Sequence, residues 1–201
     1  MDLSAPIADV IPGHRGAIIA ALVRLRVPVT GRELAAQAGV PPATAARVVN
    51  DLRAAGLIER GPAGHVMGVV LNRRHLAVPA LEELAGMRAG LVGRLRSTVA
   101  QWKEPAVAGW LFGSAARGDG SRDSDIDIVV VARRERSVDW EQQLGELGDL
   151  AAASTGNTAQ VIDYSRKEFR ELVDSGNPLI RALRSDGIEL VESSTVLLRA
   201  R

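Results

Sequence analysis

The sequence contains no cysteine, few aromatic residues and no long apolar run. Without cysteine, the 201-residue chain forms no disulfide and offers no thiolate, so a bound metal would need oxygen or imidazole ligands. No stretch approaches the roughly 18 apolar residues of a membrane span, and residues 1–12 lack the pattern of a signal peptide. These absences predict a cytoplasmic protein with no membrane partner.

The net charge of +1 conceals an uneven distribution along the chain. Residues 1–74 contain nine arginines against five acidic residues, a net charge of +4. Residues 105–201 contain twelve basic against sixteen acidic residues, a net charge of −4. A basic segment favours a nucleic-acid partner, whereas an acidic segment suits metal binding. The distribution therefore predicts two domains with different partners.

Hydrophobic periodicity in residues 1–74 predicts three helices followed by a β-hairpin. Apolar residues recur at helical spacing over 14–26, and Thr30 with Glu33 forms a capping box that opens a second helix. A third helix is predicted over 42–55, and two strands with a turn at 61–64 follow. Three helices with a short turn before the third, then a hairpin, are typical of a winged helix-turn-helix.

The stretch TGRELAAQAGVPPATAARVVNDLRAAGLIERGPAGHV resembles the winged helix-turn-helix domains of MarR- and ArsR-like bacterial regulators. The resemblance makes helix 42–55 the recognition helix that enters DNA. Arginine and asparagine read guanine and adenine edges, and arginines near the hairpin suit phosphates. The domain could instead be an interaction module with solvated arginines. The predicted DNA-binding residues are Thr44, Arg47, Asn50 and Arg53 on the helix, and Arg60, Arg73 and Arg74 near the wing.

Residues 75–104 predict one connecting helix, because apolar residues recur there at three- and four-residue steps. This stripe includes Leu81, Leu84, Leu91, Leu95 and Val99. Winged-helix regulators usually present two recognition helices to two half-sites, so the stripe could be the seam of a homodimer. It could equally pack against its own chain.

Residues 105–201 predict a site for a metal-bound nucleoside triphosphate. One apolar strand ends in Gly113 and Ser114, and a turn from a strand into a helix at such residues can cradle a phosphate. A second strand opens with Asp125 and Asp127, which share a face because they are two residues apart. Two adjacent carboxylates repel unless a cation lies between them, and Mg²⁺ or Mn²⁺ suits oxygen ligands.

The segment FGSAARGDGSRDSDIDIVVV resembles the nucleotidyltransferase superfamily of DNA polymerase beta, particularly its minimal bacterial members. The resemblance implies a two-metal reaction with Asp125 and Asp127 as catalytic metal ligands and a third carboxylate on a neighbouring strand. Asp163 is the only acid in the strand predicted over 158–164, so the resemblance assigns it as third ligand or general base. It could instead be a turn aspartate at a strand end. The predicted nucleotide-binding residues are Gly113, Ser114, Arg117 and Ser124.

The predicted fold is α+β in three parts: a winged helix-turn-helix at 1–74, a connecting helix at 75–104 and a mixed-sheet nucleotidyltransferase domain at 105–201. The resemblance implies transfer of a nucleoside monophosphate, AMP by preference, from ATP or another triphosphate to a protein hydroxyl. Minimal nucleotidyltransferases paired with HEPN-type toxins suggest such a partner protein, with antitoxin-like control of transcription. The alternatives are a regulator that only senses nucleotide and a transferase acting on RNA or a small molecule.

Overall fold

The computed structural model describes residues 1–63, 66–133 and 137–199. The chain divides into two compact units. The first unit is Ala5–Met87, and the second combines Met1–Ser4 with Arg88–Arg201. In the described part of the chain, no helix is both long enough and apolar enough to cross a membrane.

The first unit combines helices with a β-hairpin, in which two antiparallel strands pair from Ile58 with Leu71 to Ala63 with Val66. The elements are α1 (Pro6–Val10), α2 (Gly13–Arg24), α3 (Gly31–Gln37), α4 (Pro42–Ala54), β1 (Ile58–Ala63), β2 (Val66–Leu71) and α5 (Val78–Ala85). The first strand runs further than predicted, to Ala63, so it includes most of the predicted turn at 61–64. Gly64 and His65 lie outside the described residues.

The predicted capping box opens α3. The Thr30 hydroxyl accepts a hydrogen bond from the Glu33 amide at 3.2 Å, and the Glu33 carboxylate accepts one from the Thr30 amide at 2.7 Å. These bonds lower the pKa of Glu33, because they favour its charged form. Helix α4 then buries its apolar stripe in the core of the unit, through Ala45, Val48, Val49 and Leu52. The sequence of three helices and a hairpin is thus as predicted.

The predicted connecting helix is two helices, α5 and α6 (Met87–Ala100), which separate at Gly86. The Gly86 amide bonds to the carbonyl of Glu82 at 2.9 Å and ends α5. Leu81 packs in the core of the first unit, whereas Leu91 and Leu95 pack in a core of the second. The stripe is therefore divided between two cores of its own chain and does not form one exposed seam.

The second unit is built on a mixed sheet with the order β5-β4-β3-β6, in which β4 and β5 are parallel and the other pairs antiparallel. The predicted α+β fold with a mixed C-terminal sheet is confirmed. After α6 the elements are β3 (Ala106–Phe112), α7 (Gly113–Arg117), β4 (Ile126–Ala132), α8 (Val138–Thr155), β5 (Ala159–Ser165), α9 (Arg166–Asp174), α10 (Pro178–Asp186), β6 (Ile188–Glu189) and a 3-10 helix (Ser194–Leu198).

Different helices cover the two faces of this sheet. Ile128 and Val130 pack with residues of α6 and α8, whereas Val129 and Val131 pack with α9 and α10. Each fully buried side chain of this size contributes roughly 1.5–3 kcal/mol. A slip of one residue in the pairing would exchange the two faces, so burial on both faces fixes the register. That register determines which polar side chains meet where β3 ends and where β4 and β5 begin.

Candidate functional site

The end of β3 and the start of β4 place Asp127 directly against Gly113. Phe112 and Asp127 are partners in the antiparallel pair, and Gly113 follows at once with a φ of +69°. A Cβ atom on Gly113 would lie 2.5 Å from Oδ2 of Asp127, closer than any real contact. The left-handed backbone favours glycine here, and any Cβ would in addition force the Asp127 carboxylate to shift.

Asp125 and Asp127 are close enough to interact electrostatically. Asp125 is exposed just before β4, and Asp127 is half-buried at its second position. Burial raises the pKa of Asp127, and the negative charge of Asp125 raises it further, whereas the positive charge of Arg117 lowers it. The structure thus brings the two predicted carboxylates together with Arg117. Their repulsion is the kind that a bound divalent cation would relieve.

Arg117 is held by two carboxylates of its own unit. Its Nε donates to Asp119 at 2.9 Å and its Nη1 to Asp186 at 3.3 Å, and these bonds raise the pKa of the guanidinium. Asp186 is the last residue of α10, so the pair joins that helix to the end of α7. In this arrangement Arg117 anchors the loop beside Asp127 and is already paired.

Ser114 of α7 and Ser124 of the following loop both lie beside Gly120, since a Cβ atom there would be 3.1 Å from the Ser114 Oγ and 3.3 Å from the Ser124 Cβ. The Ser124 hydroxyl accepts a hydrogen bond from the Ser121 amide at 2.8 Å. Ser124 therefore shapes the loop that leads into Asp125.

Asn157 is a residue of the site that the sequence analysis missed. Its side chain is buried, and Nδ2 donates to the carbonyls of Arg122 at 3.0 Å and Ser124 at 2.8 Å. Both carbonyls belong to the loop before Asp125, so the side-chain amide of Asn157 holds the backbone that leads into Asp125. In the sequence, Gly-Asn after a helix reads only as a turn.

The structure does not bring Asp163 to the other two carboxylates, contrary to the assignment made from the resemblance. Asp163 pairs with Val130, three residues beyond Asp127 and on the opposite face, roughly 10 Å along the sheet. Its Oδ2 accepts a hydrogen bond from Nε1 of Trp140 at 3.0 Å, under α8. The partner of Asp127 on β5 is Gln160. Across the described ranges, no three acidic or histidine side chains form a group that could hold a metal.

The predicted recognition helix presents Arg47, Asn50 and Arg53 to solvent, whereas Thr44 is half-buried. Nη2 of Arg53 donates to the Asn50 side chain at 3.1 Å. Asn50, Arg53 and Arg60 line a groove of about 630 Å³ between α4 and the hairpin, and Arg32 of α3 lines it too. Arg32 was missed by the sequence analysis, because nothing but the fold brings α3 to this groove.

Arg73 is part of the framework of the first unit and not of its exposed basic surface. Its guanidinium pairs with Glu82 and donates to the carbonyls of Val23 at 3.1 Å and Leu25 at 3.0 Å. The predicted DNA contact at Arg73 is therefore not supported, since its donors are occupied at the end of α2. Arg74 is 91% exposed and lies 3.4 Å from Glu59.

Comparisons with known proteins agree with the two-part architecture. The sequence model of the Crp-like helix-turn-helix domain matches residues 11–78, and that of the polymerase beta nucleotidyltransferase family matches residues 95–182. None of the curated proteins compared with the chain matches its sequence significantly.

Two solved structures resemble part of the chain. One is the crystal structure of a mutant of the toxin-antitoxin MntA-HpeT, with 17% identity, a TM-score of 0.37 and coverage of 53% of this chain and 80% of that one. The other is a crystal structure of a toxin-antitoxin with AMP-PNP, with 18% identity, a TM-score of 0.36 and the same coverage. By the two sequence models, residues 11–78 are a helix-turn-helix domain and residues 95–182 are a nucleotidyltransferase domain of the polymerase beta family.

Proposed function

We propose that the second unit binds a metal-bound nucleoside triphosphate and transfers its nucleoside monophosphate, AMP by preference, to a hydroxyl of a protein acceptor. The observation that carries the proposal is the interacting pair Asp125 and Asp127, with Asp127 directly against Gly113. This pair stands in a domain of the polymerase beta nucleotidyltransferase family. The acceptor and the nucleotide remain parts of the proposal.

The donor set at this edge fits one hard divalent ion, Mg²⁺ or Mn²⁺. Both carboxylates supply oxygen atoms, and the pKa of Asp127 is raised first by burial and then by the charge of Asp125, two effects that a cation would offset. When bound, the ion would neutralise the charge that develops on the triphosphate during transfer. Asp125 and Asp127 are the residues that would hold it.

The remaining residues position the triphosphate and the loop. The backbone amides at Gly113 and Ser114, at the start of α7, and the Ser114 hydroxyl are the donors that would bind the outer phosphates. Arg117 and Ser124 keep the surrounding loop in place through the hydrogen bonds described above. In the transfer, the acceptor oxygen bonds to the α-phosphorus as the bond to pyrophosphate breaks, and the acceptor proton passes to solvent. Positioning and charge neutralisation carry most of such a reaction.

The decisive experiment is transfer of label from α-labelled ATP, CTP, GTP or UTP in the presence of Mg²⁺. The acceptors offered are the chain itself and the protein encoded by the adjacent gene. We expect label on a protein, and we expect Asp127→Asn to abolish it. Asp163→Asn is the matched control, because it removes the same charge from the other face of the sheet and keeps an oxygen for the Trp140 indole. Equal loss in both variants would contradict the proposed site.

A second candidate function is nucleotide sensing without transfer. The placement of Asp163 under α8 favours it, because the described residues then provide two carboxylates and not three at the site. The same experiment separates the two functions. A sensor binds labelled triphosphate in an Asp127-dependent manner and leaves no label on any acceptor.

We further propose that the first unit binds DNA and regulates transcription. The observation that supports this is the exposed basic groove of Arg32, Arg53 and Arg60 beside the recognition helix, in a unit whose sequence matches a helix-turn-helix domain. Arginine donors in such a groove suit phosphates and guanine edges.

The test is a mobility shift with the DNA upstream of the gene, at several salt concentrations. Binding should weaken steeply with salt, because it releases counterions. Arg47→Ala and Arg53→Ala should each weaken it, whereas Arg94→Ala should not, since Arg94 is an exposed arginine on α6 in the second unit. If Arg94→Ala weakens binding as much as Arg53→Ala, the recognition surface is wrongly placed.

A further inference from the structure

The side chain next to Asp127 on the neighbouring strand is an amide. Asp127 of β4 and Gln160 of β5 are partners in the parallel pair, and strands in a sheet lie about 4.8 Å apart. Partners in register project to the same face, so Gln160 flanks Asp127 on the side away from Gly113. Gln160 is exposed, as expected for a residue at the open edge.

Packing along β5 confirms which face each residue takes. Ile162 and Tyr164 pack in the core formed with α9 and α10, and they alternate with Val161, which packs with α6 and α8. Gln160 is two residues from Ile162 and four from Tyr164, so its side chain lies on the same face of the sheet as theirs. This is also the face of Asp127, its partner on β4. Asp163 is two residues from Val161 and therefore lies on the opposite face, with α6 and α8. Moving Asp163 to the site would require turning β5 over, which would exchange the side chains that now pack in the two cores.

We infer that Gln160 is the third side chain of the nucleotide site and that the site is built for one divalent ion. This inference rests on the proposed function. The two carboxylates carry two negative charges, which balance one divalent cation before the nucleotide contributes its phosphates. Gln160 adds an oxygen acceptor and N–H donors beside Asp127 without adding charge. Within the described residues, no third acidic or histidine side chain joins Asp125 and Asp127 in a group that could hold a metal.

The charge of the ligand set governs affinity for a hard cation, so the inference can be tested by changing one charge. Gln160→Glu keeps the size of the side chain and converts the site into a set of three carboxylates. We expect this variant to bind Mn²⁺ about tenfold more tightly than the wild type, or to bind a second Mn²⁺. Gln101→Glu makes the same substitution at an exposed residue just after α6 and should bind Mn²⁺ as the wild type does.

The measurement is a titration of the full chain with Mn²⁺ alone, in which electron paramagnetic resonance reports the free ion. The wild type should bind one Mn²⁺, Asp127→Asn should abolish this binding, and Asp163→Asn should leave it unchanged. The inference is overturned if Gln160→Glu titrates like the wild type or if Asp163→Asn weakens binding. If the wild type binds no Mn²⁺ through Asp127, the proposed function fails as well as the inference. If the wild type binds Mn²⁺ through Asp127 but Gln160→Glu titrates like it, only the inference fails.

Discussion

Replacing Gly113 by alanine would place a methyl group against the Asp127 carboxylate. The new Cβ would lie 2.5 Å from Oδ2, whereas ordinary contacts at such positions are 3.4–4 Å. The carboxylate or the backbone must then move by about 1 Å, and a displacement of that size costs on the order of 100-fold in a positioned reaction. The left-handed backbone, with a φ of +69°, adds about 1–2 kcal/mol of strain for any residue with a Cβ.

A matched control separates the strain from the displacement of Asp127. Gly176 has a φ of +64° in the same unit, and a Cβ there would meet no atom within 4 Å. Gly176→Ala should therefore lose about 1–2 kcal/mol of stability and keep the site intact. Gly113→Ala should lose at least as much and should also bind Mn²⁺ at least about tenfold more weakly, a difference of about 1.4 kcal/mol.

Urea denaturation followed by tryptophan fluorescence measures the stability of the second unit without interference from the first. All the tryptophans of the chain lie in the second unit and are buried, namely Trp102, Trp110 and Trp140. Mn²⁺ titration of the same samples measures the site. If Gly113→Ala matches Gly176→Ala in stability and the wild type in Mn²⁺ binding, the contact between Gly113 and Asp127 does not position the carboxylate.

Three further variants test other contacts of the structure. Asn157→Ala removes two buried donors and should lower the stability of the second unit by about 1–3 kcal/mol in urea denaturation, and an unchanged midpoint would refute this anchor. Asp127→Asn should stabilise that unit at neutral pH in EDTA. The pKa of Asp127 is raised by burial and by Asp125, so the wild type loses stability as pH rises from the ordinary aspartate value through the raised one. The difference in stability between Asp127→Asn and the wild type should disappear near pH 4. If the two proteins are equally stable at pH 7, the raised pKa of Asp127 is contradicted. Arg73→Ala should destabilise the first unit by about 1 kcal/mol in circular dichroism and leave the salt dependence of DNA binding unchanged, whereas Arg53→Ala should reduce that dependence.

Local patterns predict the features of the site that lie within one element or one turn. The alternation of a strand predicts that Asp125 and Asp127 share one side, and their charges do interact although β4 begins only at Ile126. A Gly-Ser pair after an apolar strand marks the turn into α7. The capping box at Thr30 likewise depends on residues three apart. Each of these requires only the geometry of a single helix or strand, which the sequence specifies directly.

The features that the sequence analysis missed depend on how elements pair. Asp163 and Gln160 are both polar residues of one strand, and only the register with β4 decides which of them meets Asp127. In the sequence, Arg73 cannot be told from other basic residues near the wing. Only the tertiary fold brings its guanidinium to the carbonyls at the end of α2. The apolar stripe over 75–104 is continuous in sequence, whereas the break at Gly86 assigns its halves to different cores.

The two carboxylates are constrained by different parts of the fold. The absence of a side chain at Gly113 leaves room for the Asp127 carboxylate, and Asn157 fixes the loop that ends at Asp125. Neither constraint uses an opposite charge, and Arg117 is already bonded to other carboxylates, so the fold holds the pair in place without neutralising it. A cation bound there as proposed would remove the repulsion between the two carboxylates. Burial is the larger cause of the raised pKa of Asp127 and the charge of Asp125 is the smaller one, so a cation bound there as proposed would offset both by favouring the charged carboxylate.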